Sequence, residues 1–442
     1  MSTLGSVMSS ALKAMNANQL ALSVASNNIA NAQTPGFTRQ RLVLAPSGSD
    51  GGALGIGNGV DVVKVEALRD ALIEVRLQQE TSAKSQDDAL SKSLADIEAQ
   101  FTDSEDSGLL LQLTNLFNSF STLSQDPASM NFREQLKTNA QSLIDALHAR
   151  DANLTNTSNV ADKAVAANVN QINVLTTQIA KLTGEIKIQE VEHTANDLRD
   201  QRSALVKQLS QIVEVKELES NNDYQLVTND NHLLVLNNYQ RDLTTADVSA
   251  SIGKGELAAN IAIRDVYIPK YSAALDQLTY EIAQKVNAIH SAAYNLDGGT
   301  GLNFFAPLAS ASGAARQISL STDVAASARK IAASTLSTGE DNQAAIEMAN
   351  LLHTSVFSGG SVTDQYQSIV FGIGTDVANT AANQREHDAL LAQLQNRRQS
   401  ASGVSIDEES VQILQFQRAY EASARLVKTV DELLQVALGL GA

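Results

Sequence analysis

The chain is organised around the stretch Ala25-Ser-Asn-Asn-Ile-Ala-Asn-Ala-Gln-Thr-Pro-Gly-Phe-Thr-Arg-Gln-Arg41, which begins as a helix and ends in a turn. Proline restricts the residue before it, here Thr34, to extended geometry. Gly36 can adopt the positive φ that a type II turn requires. The sequence therefore predicts that a helix stops at Pro35-Gly36.

The helix ahead of this turn carries apolar residues at heptad spacing. They are Met8, Met15, Leu22 and Ile29, flanked by Leu4, Ala11, Leu12 and Ala25. A seven-residue apolar repeat is typical of a helix that packs along another helix.

A matching repeat closes the chain. Its members are Ile413, Tyr420, Val427 and Leu434, interleaved with Phe416, Val430 and Ala437. Ser405, with Glu408 three residues later, forms a capping-box pattern that marks the start of this helix. We therefore predict that the two terminal helices pack together, and that all residues between them form an insertion between these two helices.

The part between the ends is predicted to be mostly helical, with two β-rich portions. A hairpin is expected at residues 40–66; its Gly55–Gly59 segment is read as turn material, because a phosphate loop would need a following Lys-Ser/Thr. Alternating apolar residues predict extended structure over residues 213–264. Apolar stripes predict one helix that includes Leu136–Leu147, a separate one over Ala152–Glu190, and another over Asp364–Ser400.

The expected fold class is mainly α. We expect an elongated rod of long helices with coiled-coil pairing of the N- and C-terminal helices, plus a small β-hairpin-rich portion. Residues 1–37 with 403–442 are expected to form an inner domain, and residues 38–402 an elongated helical domain.

Composition narrows the possible partners. The formal charge of −17 would repel phosphates, so nucleic acid is not an expected partner. No run of eighteen apolar residues is present, so no membrane span is expected. The N-terminus lacks the pattern of a cleaved secretion signal. Cysteine is absent, which excludes disulfides and thiolate metal sites.

No pattern of residues indicates catalysis. The six histidines have no i, i+3 or i, i+4 partner, so we expect each of them on the surface and no metal site. Asp197, Arg199, Asp200 and Arg202 are predicted to be solvated or in weak local pairs on a short helix, rather than in an active site. No nucleophile elbow or dinucleotide fingerprint occurs. The chain is therefore not expected to be an enzyme or to hold a cofactor.

Residues 25–41 resemble the N-terminal signature of the flagellar rod, hook and hook-associated proteins. Further stretches resemble the FlgK family of hook-associated proteins in particular, in the expected order over nearly the whole chain. They are Pro35–Arg41, Gly57–Val60, Asn196–Arg202, Leu275–Leu278, Val286-Asn287 with His290, Phe304-Phe305, Gly339–Asn342, Ser402–Glu409 and Gln417–Arg425.

The chain departs from this family in two places. Ser405 stands where family members usually carry Asn, which keeps a capping side chain. Many relatives insert a β-rich outer domain after Phe305, whereas here residues 306–317 lead directly to Ile318. The outer domain is therefore expected to be absent.

The resemblance implies a structural junction protein between the flagellar hook and the filament. Its implied partners are the hook protein, the second junction protein (hook-associated protein 3), copies of itself in a ring-like assembly, and an export chaperone that binds the C-terminal helix. It also implies export by the flagellar type III apparatus, without a cleaved signal peptide, to the extracellular flagellum. Two alternatives stay open: a hook or distal rod protein of the same axial family, and an acidic coiled-coil adhesin or enzyme-bearing axial protein.

The expected assembly interface lies on both terminal helices. It comprises Leu4, Met8, Leu12, Met15, Leu22, Asn27, Asn28, Ile29, Asn31, Pro35, Gly36 and Phe37, with Ile413, Phe416, Tyr420, Val427, Val430 and Leu434. For the three asparagines, local bonding to their own backbone is the default. Because isolated helices are marginal in water, we expect both ends to be disordered in the monomer and ordered in the assembly.

Overall fold

The computed structural model describes residues 2–48, 57–102, 108–191, 193–220, 223–249, 251–339 and 341–439. The prediction of a mainly helical chain with small antiparallel sheets and paired terminal helices is confirmed. The chain divides into two compact units. Unit 1 comprises residues 1–84, 169–255 and 387–442, and unit 2 comprises residues 85–168 and 256–386. None of the described helices is both long and apolar enough to cross a bilayer.

Long helices dominate the fold. They are α1 (Ser2–Ala30), α2 (Ala71–Phe101), α4 (Met130–Gln189), α7 (Ile268–Ala292), α11 (Val362–Ser402) and α12 (Ile406–Gly439). The shorter helices are α3 (Leu109–Gln125), α5 (Asn196–Ile212), α6 (Glu256–Ala262), α8 (Ala314–Gln317), α9 (Thr322–Ala326) and α10 (Gln343–Asn350). A π-helical turn, Ile263–Tyr267, connects α6 to α7, and a 3₁₀ turn spans Ala328–Lys330.

In the described ranges, the strands form three small sheets. They are β1 (Gln40–Pro46) with β2 (Val60–Ala67), then β3 (Val215–Ser220), β4 (Asp223–Thr228), β5 (Leu233–Leu236) and β6 (Tyr239–Gln240), and finally β7 (Tyr294–Asn295) with β8 (Ala332–Ser334). All pairings are antiparallel, and the second sheet follows chain order. Gly55 and Ile56 of the predicted Gly55–Gly59 turn lie outside the described residues.

The prediction of two separate helices on either side of residue 150 was wrong. Helix α4 runs without interruption for 60 residues, which corresponds to about 90 Å. No proline lies within it, and its first glycine is Gly184 near its end. Because no residue breaks the backbone hydrogen bonds, the stripe around Leu136–Leu147 and the later heptads join in one helix.

The prediction of extended structure over residues 213–264 was correct only for its first half. The sheet ends at β6, and α6 begins at Glu256. Gly253 and Gly255 precede that helix with φ values of 105° and 111°, which side chains rarely adopt. A Cβ on Gly255 would lie 2.5 Å from the carbonyl oxygen of Ile212, so the chain turns into α6 at glycine.

Unit 2 has a continuous apolar core. Its largest fully buried side chains include Phe101, Phe117, Phe120, Phe304 and Phe305, which belong to or follow α2, α3 and α7. Phe304 lies at the centre of an aromatic group, with ring centroids 5.4 Å from Phe120 and 4.9 Å from Phe305. The large side chains fill the space between the helices, which is the packing expected of an independently stable core.

The expectation that every histidine lies on the surface was wrong for His290. Its side chain is fully buried in unit 2, where Nδ1 lies 2.7 Å from the carbonyl oxygen of Leu302 and Nε2 accepts a hydrogen bond from the Ala332 N–H at 2.9 Å. These two contacts require the neutral ring with its proton on Nδ1. Burial lowers the pKa of His290 from its ordinary 6.5 to about 4. The histidine is therefore a structural bridge between the end of α7 and β8.

Candidate functional site

Helix α1 packs along α12 and also contacts the β1–β2 hairpin. The apolar residues of α1 that are buried most completely are alanines: Ala11, Ala17, Ala21 and Ala25, which we call the alanine line. Small side chains allow neighbouring backbones to approach closely. The closest packing of α1 therefore occurs on this line.

The predicted stripe of larger residues lies beside the alanine line. Leu4, Met8, Met15, Leu22 and Ile29 are half-buried, and Leu12 is 46% exposed. On α12, Val430 is buried, whereas Ile413, Phe416, Tyr420, Val427 and Leu434 are half-buried. The predicted residues thus line the edges of the packed helices and keep part of their apolar surface in solvent.

The turn at Pro35-Gly36 has the predicted geometry, although α1 itself ends earlier, at Ala30. Gly36 has a φ of 86°, and the Phe37 N–H donates to the Thr34 carbonyl at 3.2 Å, as in a type II turn. Pro35 and Gly36 are exposed and Phe37 is half-buried. The turn redirects the chain from α1 into β1.

The three asparagines of the exit divide into two kinds. Asn27 and Asn31 bond each other locally, with 2.8 Å between Asn31 Nδ2 and Asn27 Oδ1. Asn28, by contrast, is buried and reaches across the fold. Its Oδ1 accepts from the Gln40 N–H at 3.0 Å and its Nδ2 donates to the Gln40 carbonyl at 2.8 Å. The default of local bonding was therefore correct for Asn27 and Asn31 and wrong for Asn28.

Asn28 also connects the two ends of the chain. Its Nδ2 donates to Glu409 Oε2 at 3.0 Å, and Glu409, which is 1% exposed, also accepts from Arg39 Nε at 2.7 Å. Arg39 Nη1 donates to Glu408 Oε2 at 2.9 Å. We call Asn28, Arg39, Gln40 and Glu409 the terminal network. Since hydrogen bonds with one charged partner are strong, this network fixes the start of α12 against the exit of α1.

The N-terminus of α12 begins close to its predicted position. The Glu408 N–H lies 3.5 Å from Ser405 Oγ, a long capping contact, while the Glu408 side chain bonds Arg39 instead of returning to Ser405. Half of the predicted capping box is therefore formed. The second half is replaced by a contact with the other end of the chain.

The prediction that the charges of α5 are solvated or in weak local pairs was wrong for Arg199, Asp200 and Arg202, whereas Asp197 is exposed as predicted. Asp200 accepts from the N–H and the hydroxyl of Thr38 at 3.0 and 2.9 Å, and from Arg69 Nη2 at 2.6 Å. Asp197 accepts a longer contact, 3.3 Å, from the Gln40 side chain. Helix α5 therefore holds the segment that follows the exit turn.

The two arginines of α5 hold the helix to its surroundings. Arg199 donates to both carboxylate oxygens of Glu190, at 2.6 and 2.9 Å, and lowers the pKa of that carboxyl. Arg202 is buried, bonds Glu219 at 2.8 Å, and lies 3.9 Å above the ring of Tyr224. The run Asn196–Arg202 is therefore a tertiary anchor.

The hairpin is fixed on α1 by charge and by close approach. Lys13 Nζ lies 2.8 Å from Asp61 Oδ1 and donates to Ser47 Oγ at 2.6 Å. Gly59 has a φ of 91°, and a Cβ there would lie 3.0 Å from the Cα of Ser10. Glycine is thus required where β2 begins beside α1.

The sequence interpretation did not include Arg39, Gln40 or Glu409 among the site residues. A signal was present, because a basic residue follows the exit turn and three acidic residues, Asp407–Glu409, open α12. Opposite charges at two ends predicted to meet indicate an ion pair. Among the described residues, no group of three His, Asp or Glu side chains is arranged to hold a metal ion.

Three family models match this chain in order. A flagella basal body rod protein model matches residues 8–38, the FlgK helical domain model of flagellar hook-associated proteins matches residues 94–305, and the C-terminal model of the FlgEFG basal body rod proteins matches residues 395–440. Flagellar hook-associated protein 1 of Bacillus subtilis is 27% identical over 98% of both chains. This chain is similar to the FlgK family of flagellar hook-associated proteins over nearly its whole length.

Other relatives show the same similarity. Flagellar hook-associated protein 1 of Escherichia coli is 26% identical over 99% of this chain and 100% of its own length. That alignment spans 554 positions, more than the 442 residues of this chain. The flagellar hook junction protein FlgK from Burkholderia pseudomallei shares the fold, with a TM-score of 0.66 and 16% identity, over 74% of this chain and 100% of that one.

This similarity identifies the chain as a flagellar axial hook-associated protein that interacts with other components of the flagellum. Its relatives are structural proteins rather than enzymes. The terminal network lies where residues 8–38 and 395–440, matched by the two basal body rod models, meet. The site is therefore a structural joint between the two chain ends.

Proposed function

We propose that this chain is the junction protein between the flagellar hook and filament, and that it assembles with copies of itself through its terminal helices. The observation that carries the proposal is the terminal network: it joins two helices whose large apolar residues remain partly exposed. Fixed in orientation by Glu409 and Asn28, these helices offer apolar surface to neighbouring subunits.

The low burial of the terminal helices supports assembly-dependent order. Alanine methyl groups bury little apolar area each, and the larger residues beside them are half-exposed. Ordering long helices costs conformational entropy that such thin packing offsets poorly. We therefore propose that the terminal helices are disordered in the monomer and become ordered when neighbouring copies cover them.

The proposed partners follow from the resemblance and from the family. They are the hook protein, the second junction protein (hook-associated protein 3), and an export chaperone that binds α12 before export through the type III apparatus. The match of the FlgK helical domain model to residues 94–305 favours this role over that of a hook or distal rod protein. The proposed absence of an outer domain is supported by residues 306–317, which lead from Phe305 directly to α8 and Ile318.

A deletion strain tests the junction role. We expect cells lacking this chain to build finished hooks without filaments and to release flagellin into the medium, and the wild-type gene to restore filaments. Normal filaments in the deletion strain would exclude the junction role.

Limited proteolysis tests the state of the monomer. At low protein concentration we expect cleavage within α1 and α12 well before cleavage within unit 2, whose large side chains are fully buried. Resistance of both ends in the monomer would contradict assembly-dependent order and leave the junction role untouched.

A further inference from the structure

Unit 1 has a groove beside α1 that its own chain does not fill. The cavity is about 490 Å³ and lies between α1, β2 and the connection from α4 to α5. Three apolar side chains on its walls are exposed: Leu20 and Val62 by 39% each and Val63 by 58%. Exposed apolar groups clustered in a concave surface are typical of a protein-binding site.

Polar side chains line the groove together with these apolar ones, and Asp197 supplies its carboxylate. Asp197 accepts one long hydrogen bond, from Gln40 at 3.3 Å. Lys64, on the β2 side, is paired with Glu66 at 3.0 Å. The apolar walls and the Asp197 carboxylate therefore suit an apolar helix that also carries basic residues.

Helix α12 carries a face of this kind. Val411, Leu414, Arg418, Arg425 and Val436 are all exposed and, at 3.6 residues per turn, fall on one side of the helix. We call this the outward face, because it lies opposite Phe416, Tyr420 and Val427. Within the described part of the chain, neither Arg418 nor Arg425 forms an ion pair, so both guanidinium groups are available to a partner.

We propose that the outward face of α12 from a second copy of this chain binds in the groove beside α1. The inference deepens the proposed self-assembly and rests on it. The occupant is a second copy because this chain supplies both complementary surfaces: apolar walls for Val411 and Leu414, and a carboxylate for the unpaired arginines. Covering the outward face also explains why α12 has apolar residues on two opposite sides, since a helix of that kind is normally buried.

The two surfaces are different patches, so the contact is heterologous. Each copy binds the next through its outward face and is bound through its groove. Such head-to-tail contacts continue from subunit to subunit and produce rings or open helices instead of closed dimers. That symmetry suits a protein placed between two other axial layers.

Cross-linking tests the contact directly, because the native chain contains no cysteine. Val63→Cys on the groove is combined in turn with Val411→Cys, Leu414→Cys and Val436→Cys on the outward face, in the full-length chain expressed in the deletion strain. After mild oxidation of isolated flagella, we expect a ladder of covalent multimers from at least one pair. All these positions are exposed, so folding should be preserved.

Matched controls distinguish the proposed contact from other cross-links. Each single-cysteine variant should remain monomeric, and Val160→Cys in unit 2, 61% exposed, paired with Leu414→Cys should give no ladder. Normal filaments without a ladder from any groove pair would overturn the contact, and a dimer from Leu414→Cys alone would show an isologous interface instead. Failure of the junction role would be recognised separately, since the uncomplemented deletion strain would then still make filaments.

Charge exchange gives a second, independent measurement. Arg418→Glu with Arg425→Glu should reduce the number of filaments per cell at least tenfold, and adding Asp197→Lys should recover a measurable part of that loss. If the arginine variant assembles normally, the Asp197 carboxylate does not bind the arginines of the outward face.

Discussion

The core of unit 2 and the pair of terminal helices in unit 1 contain similar apolar residues but bury them very differently. In unit 2, Phe101, Phe120, Phe304 and Phe305 are at most 1% exposed. On α1 the fully buried line is made of alanines, and the larger apolar residues of both terminal helices, except Val430, keep contact with solvent. The core of unit 2 is complete within one chain, and the difference supports the proposal that neighbouring copies complete the terminal pair.

The two units also differ in charge. The residues of unit 2 include 24 Asp and Glu against 12 Lys and Arg, and those of unit 1 include 25 against 20. Most of the net negative charge thus belongs to unit 2. Like charge opposes close approach, so the more balanced unit 1 is better suited to the closest contacts between copies.

The largest expected effect comes from opening the core of unit 2. Phe304→Ala removes a ring packed against Phe120, Phe305 and His290, so unit 2 should lose about 3–5 kcal/mol of unfolding free energy. Chemical denaturation of the monomer measures this loss. Val430→Ala on α12 is the matched variant and should leave that transition unchanged. If both substitutions lowered the unfolding free energy equally, the proposed difference between the core of unit 2 and the terminal pair would be wrong.

The second effect concerns the terminal network. Glu409→Ala removes a buried carboxylate that pairs with Arg39 and Asn28, which should destabilise the packed start of α12 by about 2–3 kcal/mol. Hydrogen exchange of the α12 amides in isolated flagella, or a fall in filament number, measures it. Glu408→Ala is the control, because Glu408 is 63% exposed and its pair with Arg39 should contribute less than about 1 kcal/mol.

The smallest expected effect is a dependence of the stability of unit 2 on pH. The folded-state pKa of His290 is about 4 and its ordinary value is 6.5, so the unfolded chain binds a proton at a higher pH than the folded chain. Stability from the neutral ring is full above pH 6.5 and is lost as the pH falls toward 4. Unit 2 should therefore lose about 2 kcal/mol between pH 7 and pH 5.

Denaturation curves across that interval measure the loss, and His290→Gln should flatten the dependence while lowering stability at pH 7. His353→Gln, at an exposed position, should leave the slope unchanged. An unchanged slope in the His290 variant would assign the pH dependence to other groups.

Local chemistry determined much of what the sequence alone could predict. The turn at Pro35-Gly36, the cap at Ser405, the matching heptads and the family resemblance follow from residues close together in the chain. The uninterrupted α4 was predictable in principle, since no proline interrupts it. Turns, helix caps and the periodicity of apolar side chains depend on residues that are near one another in the sequence. They can therefore be predicted from a single sequence.

Tertiary structure decided which residues connect distant segments of the chain. Glu409 lies 381 positions from Asn28, and Asp200 lies 162 from Thr38, so no local pattern could pair them. The heptads identified the packed sides of α1 and α12, but the distance between backbones placed alanines deepest and left Leu12 and the outward face in solvent. Charges expected to be solvated became anchors, because the neighbours that satisfy them come from distant segments of the chain.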